Sequence, residues 1–105
     1  MKLTELNPQW ISEEGGVKAG ILFTCPHCLK ARLFVPFVPM KVSEQYDLLA
    51  FNGIPQDQLH HIAVGAKGKS WTQNGKGFDQ LSLTPSVDAS PSGCWHGFIT
   101  DGETK

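Results

Sequence analysis

The chain has no excess of positive charge. Nine Lys and Arg stand against ten Asp and Glu, the formal net charge is −1 and the pI about 6.4. The basic stripe that marks a nucleic-acid surface is therefore not indicated. There is no run of 18 apolar residues, so no helix of this sequence is expected to cross a membrane. The opening stretch, MKLTELNPQWISEEGG, lacks the apolar segment of a secretory signal. A cytoplasmic location is the expectation. Cysteine is scarce, with three in 105 residues. An odd, small number in a reducing compartment excludes a disulfide framework and points to metal binding or thiol chemistry. No G-x-x-x-x-G-K-[ST] phosphate loop occurs. No His-x-Glu occurs either, which removes the deaminase type of zinc site.

Glycine and proline are plentiful, at 11 and 7. They imply frequent turns and short elements, hence mainly β structure. A chain of this length makes one domain, 1–105, with a modest core that a metal staple would strengthen. Residues 17–24, VKAGILFT, read as a strand. CPHC follows as a tight turn, and 29–38, LKARLFVPFV, reads as a second strand that Pro36 confines to an edge or bulge. Strand, knuckle, strand is the layout of a zinc-ribbon hairpin. Residues 39–70 read as an insertion or mobile loop. Within them SEQYDLLAF suits a short helix capped by Ser43, and PQDQLHH a further helical turn begun by Pro55. Asn74-Gly75 is a hairpin signal. In 78–87, Leu81, Leu83 and Pro85 alternate with Ser82 and Thr84. DASPSG, 88–93, is a turn, and CWHGFIT, 94–100, the last strand.

The chemistry lies in TCPHC and CWH. Cys25 and Cys28 form a C-x2-C pair. In a strand, residues i and i+2 share a face, so Cys94 and His96 can chelate one ion together. Cys25, Cys28, Cys94 and His96 make a Cys3His set, which closes a tetrahedral zinc shell. One structural Zn2+ per chain is expected, joining the early hairpin to the last strand. His27, and the adjacent His60 and His61, are rival ligands. His27 sits at the knuckle apex, and the His60-His61 pair in a solvated loop.

CPHC is also the dithiol of oxidising thioredoxin-like enzymes, and Thr84-Pro85 resembles the cis-proline that faces such dithiols. That chemistry needs the dithiol to open a long helix, whose N-terminus lowers the thiol pKa. Here RLFVPFV follows, rich in β-strand formers. The redox reading also leaves Cys94 and His96 unexplained. A catalytic zinc needs an open ligand position and a base, and four ligands fill the shell. Ser86 in LTPSV has no base beside it in sequence and reads as a turn former. Trp10, Trp71 and Trp95 read as core or core-edge residues.

The stretches GILFTCPHC, FDQLSLTPSVDAS and CWHGFITDGE resemble a family of small zinc-binding proteins of bacteriophages and prophages. That family combines an N-terminal Trp, a C-P-x-C knuckle, an LTPSI strand and a terminal W-H-G-F-I segment. The resemblance spans residues 8–38 and 71–104. It implies a zinc site at Cys25, Cys28, Cys94 and His96, and a phage origin. It implies no activity. Some zinc knuckles place glycine after the second Cys, and Leu29 stands there in this chain.

The expectation is thus a small, mainly β domain, a zinc-ribbon-like hairpin joined to a twisted sheet or compact sandwich. Its leading function is a non-enzymatic module that binds a protein partner. The alternatives are a thiol-disulfide oxidoreductase using Cys25 and Cys28, or a zinc-dependent hydrolase.

Overall fold

A computed structural model describes residues 1–90 and 93–105. Pro91 and Ser92, inside the turn predicted at 88–93, lie outside the described residues. After a 3₁₀ turn at Leu3–Leu6 come β1 (Gln9–Ser12), β2 (Lys18–Thr24) and β3 (Arg32–Pro36). Then α1 (Val42–Phe51), α2 (Gln56–Leu59) and β4 (Ile62–Ala63) follow. The chain ends with β5 (Thr72–Asn74), β6 (Ser82–Asp88), β7 (His96–Thr100) and β8 (Glu103–Thr104). The structure is mainly β, as composition implied. It has two four-stranded sheets, ordered β1-β2-β3-β4 and β5-β6-β7-β8. All neighbours are antiparallel except β3 and β4.

The first sheet is buried on both faces, and β2 shows why. In AGILF, residues 19–23, every position is inside. Ile21 and Phe23 point to the second sheet, where they join Leu81, Leu83, Val87 and Ile99. Leu22 points the other way, to Ile11, Phe34, Leu49, Leu59 and Ile62. A strand covered on both sides reads as a continuous apolar run, which is how VKAGILFT reads. Residues 39–70 supply the outer cover: α1 contributes Leu49, α2 contributes Leu59 and β4 contributes Ile62. Lys41, one residue before the helix, is its N-cap, so Ser43 lies inside α1 and not at its end.

One buried polar side chain ties α1 to the segment that follows β4. Gln45 is fully buried in α1. Its Nε2 donates to the Gly65 carbonyl at 2.6 Å, and its Oε1 accepts the Gly65 N–H at 2.8 Å. Both backbone groups of Gly65 are thereby satisfied inside the molecule, as burial requires. Only glycine fits there, because a Cβ would lie 2.9 Å from Pro36 and 3.2 Å from Trp71. The 64–70 segment is so held against the second sheet.

Candidate active site and metal centre

The β2–β3 hairpin carries the knuckle. Cys25 N–H donates to the Ala31 carbonyl at 2.8 Å, and Leu29 N–H to the Cys25 carbonyl at 2.9 Å. No helix follows Cys28; the turn runs into β3. Leu29 closes the turn with φ of 59°, the left-handed conformation that a glycine would take without cost. Ala31 N–H donates to Cys28 Sγ at 3.3 Å. The N–H groups of Ala31 and Lys30, with smaller help from Cys25 and Cys94, lower the Cys28 thiol to about 7, against its desolvation. Burial raises the Cys94 thiol, and the neighbouring Cys25 and Cys28 raise it further.

The sulfur atoms of Cys25, Cys28 and Cys94 lie within 4.8 Å of one another. Zinc–sulfur bonds of about 2.3 Å at tetrahedral angles place sulfurs roughly 3.8 Å apart. Three converging sulfurs, one of them buried, suit a soft or borderline cation. The two distant Cys segments meet as the spacing suggested.

His96, expected as the fourth ligand, is not part of this group. Cys94 precedes β7, whereas His96 opens it on the solvent-facing side. The two residues therefore do not share one strand face. The exposed His27, His60 and His61 are outside the group as well.

The His96 ring faces a different residue. Its Nε2 lies 3.3 Å from Ser86 Oγ. The strand register explains the meeting. Asp88 pairs with His96 and Val87 with Gly97, but Leu83 pairs with Ile99. Four steps along β6 match two along β7, so β6 bulges between Leu83 and Val87. Such bulges re-aim side chains and are common beside active sites. Leu83 and Val87 point inward, while Ser86 and Asp88 share the outer face with His96.

Ala89 N–H donates to the Trp95 carbonyl at 2.9 Å. In that register Ala89 and Val87 form hydrogen-bonded pairs with β7, and Asp88–His96 is the non-bonded pair between them, in which side chains stand closest. The Asp88 carboxylate accepts the Ser90 hydroxyl at 2.5 Å and the Ser90 N–H at 2.9 Å. These two bonds hold the carboxyl below the usual carboxylate range, the charges of His96 and Lys69 add to the effect, and a small desolvation opposes it. Trp71 Nε1 donates to the Ser86 carbonyl at 3.1 Å and fixes the backbone under the hydroxyl. Gly97 makes room for the Trp95 ring, which packs edge-on to Phe23; a Cβ there would lie 2.7 Å from the ring and 2.1 Å from the Lys105 carbonyl. A groove of about 480 Å³ opens along Ser86 and Asp88, with Gly65, Ala66, Lys69 and Ser70 opposite.

Sequence reasoning missed the Ser86–His96 contact because the two residues lie ten positions apart, on paired strands. The only signal in the sequence was LTPSV followed by CWHG.

A family model described as "bacterial ubiquitination-like system serine protease (BubE)" matches residues 39–105. The match includes Ser86, Asp88, Cys94 and His96 and leaves out Cys25 and Cys28. No curated protein and no solved structure matches the chain.

Proposed function

The chain belongs to the BubE family, and we propose that it is a serine hydrolase that cleaves an acyl bond, amide or ester, within a bacterial ubiquitination-like system. The observation that carries this reading is the 3.3 Å approach of Ser86 Oγ to His96 Nε2 at the edge of a groove. That separation is on the long side for a catalytic pair, as is common before substrate binds.

Ser86 is the nucleophile. Its hydroxyl proton passes to His96 Nε2 as Oγ attacks the carbonyl carbon, which requires the other ring nitrogen to carry the resting proton. His96 then returns the proton to the leaving group, and the C–N or C–O bond breaks to leave an acyl-serine. Water repeats the sequence and releases the acid. Asp88 stands across the strand pair and stabilises the imidazolium by charge. The Ser86 N–H is a donor for the oxyanion, since the ladder turns it away from β7 and toward the groove.

The three cysteines hold a structural zinc ion in this reading, which ties the knuckle to the start of β7. Bound zinc supplies folding free energy and no chemistry at the serine. The ion fastens Cys94, two residues before the base, and so keeps His96 in place. The likeness to phage and prophage proteins is compatible with this role and leaves the origin of the chain as a proposal.

The test is covalent labelling. A fluorophosphonate should modify wild-type protein at Ser86 and leave Ser86→Ala unmodified, with both melting alike. Equal labelling of the two proteins, or labelling of neither, would sink the proposal.

A further inference from the structure

We infer that the substrate reaches Ser86 as an extended segment that adds a strand to the free side of β6, with one aliphatic side chain seated in an apolar pocket beside it. This rests on the Ser86–His96 reading and goes on to the class of substrate.

The pairing of β5 with β6 stops at Thr72–Thr84. Past Thr84, β6 runs on through Pro85, Ser86, Val87 and Asp88 and, among the described residues, is paired only with β7. The bonding of Ala89 to Trp95 fixes which backbone groups face which way. Val87 points to β7, so Ser86 and Asp88 point to the opposite side. Trp71 confirms the direction, because its Nε1 reaches the Ser86 carbonyl from there. The Asp88 N–H and carbonyl therefore face the groove, beside the Ser86 carbonyl that Trp71 already holds, and are the groups that a new strand would meet. Addition of a strand to such an edge is a common mode of peptide capture.

The far wall suits the same guest. Gly65, Ala66 and Gly68 are small and leave width for a backbone. Gln45 clamps Gly65 from behind through two hydrogen bonds, so the wall stays in place. Next to the groove lies a second cavity of about 180 Å³, which shares Val64, Trp71 and, at its rim, Asp88 with it and adds the apolar Leu33, Val35 and Val87. A cavity of ~150 Å³ accommodates benzene, so this one takes a single branched side chain. The site therefore selects an unfolded tail or linker with an aliphatic residue near the scissile bond, and not a folded loop.

The experiment uses the full chain, loaded with zinc, and a set of tetrapeptide coumarin amides varied one position at a time. One position should prefer Leu or Val over Lys and Glu by at least about tenfold. N-methylation of the best peptide should cost roughly tenfold in kcat/KM at alternate amides, the worth of one backbone hydrogen bond. The intervening amides should be nearly indifferent. Ala66→Phe, which narrows the groove, should raise KM for the peptide by a larger factor than it slows fluorophosphonate labelling of Ser86. The inference is overturned if Ser86 is labelled but N-methylation is felt at no amide or at all of them equally, if a charged residue is preferred, or if no peptide is cleaved. If Ser86 is not labelled at all, the reading of the site has failed and this inference falls with it.

Discussion

His96 stands between two tasks. Its Nε2 is 3.3 Å from the Ser86 hydroxyl, although Cys94, two residues earlier, joins the sulfurs of Cys25 and Cys28. The proposed metal ligand and the proposed base are thus nearly adjacent in sequence and separate in space, which makes them separable by mutation.

His96→Ala should lower kcat/KM by about 10²–10⁴-fold, the usual worth of a general base, and retain one zinc per chain. Cys94→Ser should lower zinc content and melting temperature, and should reduce labelling of Ser86 as the start of β7 loosens. Metal analysis alongside fluorophosphonate labelling checks the pair. Loss of zinc in His96→Ala would return that residue to the ligand set.

Leu29 occupies a left-handed position and its side chain is 56% exposed. An L-residue there costs roughly 1–2 kcal/mol, and little packing is at stake. Glycine relieves the strain and gives part of it back as unfolded-state entropy. Leu29→Gly should therefore raise stability by about 0.5–1 kcal/mol, readable as a melting shift of a few degrees. A fall of similar size would show that the knuckle depends on the Leu29 side chain.

Asp88 has its carboxyl lowered, chiefly by the Ser90 hydroxyl and N–H. A depressed folded value means that the unfolded chain binds the proton more readily. The contribution to stability is then present above the ordinary carboxylate range and is lost as pH falls through the folded value. Because this carboxylate is exposed, the direct readout is its own titration. NMR should place the Asp88 midpoint below that of an ordinary aspartate, and Ser90→Ala should move it up. An unchanged midpoint in that variant would contradict the assigned cause. His96 and Lys69 face the same carboxylate, so their protonation states must be matched between the two proteins.

Much of the architecture was legible along the chain. VKAGILFT and LKARLFVPFV announced two strands by their apolar runs, and the pair was joined by a turn as CPHC implied, although the second strand is shorter than expected, Arg32–Pro36, because the turn extends through 29–31. The predicted helix at SEQYDLLAF and the turn begun by Pro55 stand close to where they form. Residues 39–70 were harder. Their apolar residues, Leu49, Leu59 and Ile62, are too sparse to declare a face until Leu22 and Phe34 are known to need a cover.

Local composition and short spacings were enough for the β character of the chain and for the gathering of its cysteines. A C-x2-C turn and a third thiol far along carry their own chemical logic, since sulfur placed around a cation is favourable whatever the path between. The Ser86–His96 contact had no such logic in one dimension. It depends on the bulge in β6, which shifts the register by two residues, and on the neighbour that β7 takes. Register is a property of a pair of strands. No single strand encodes it, and so the residue that reads as a turn former meets the His96 ring only when the sheet is assembled.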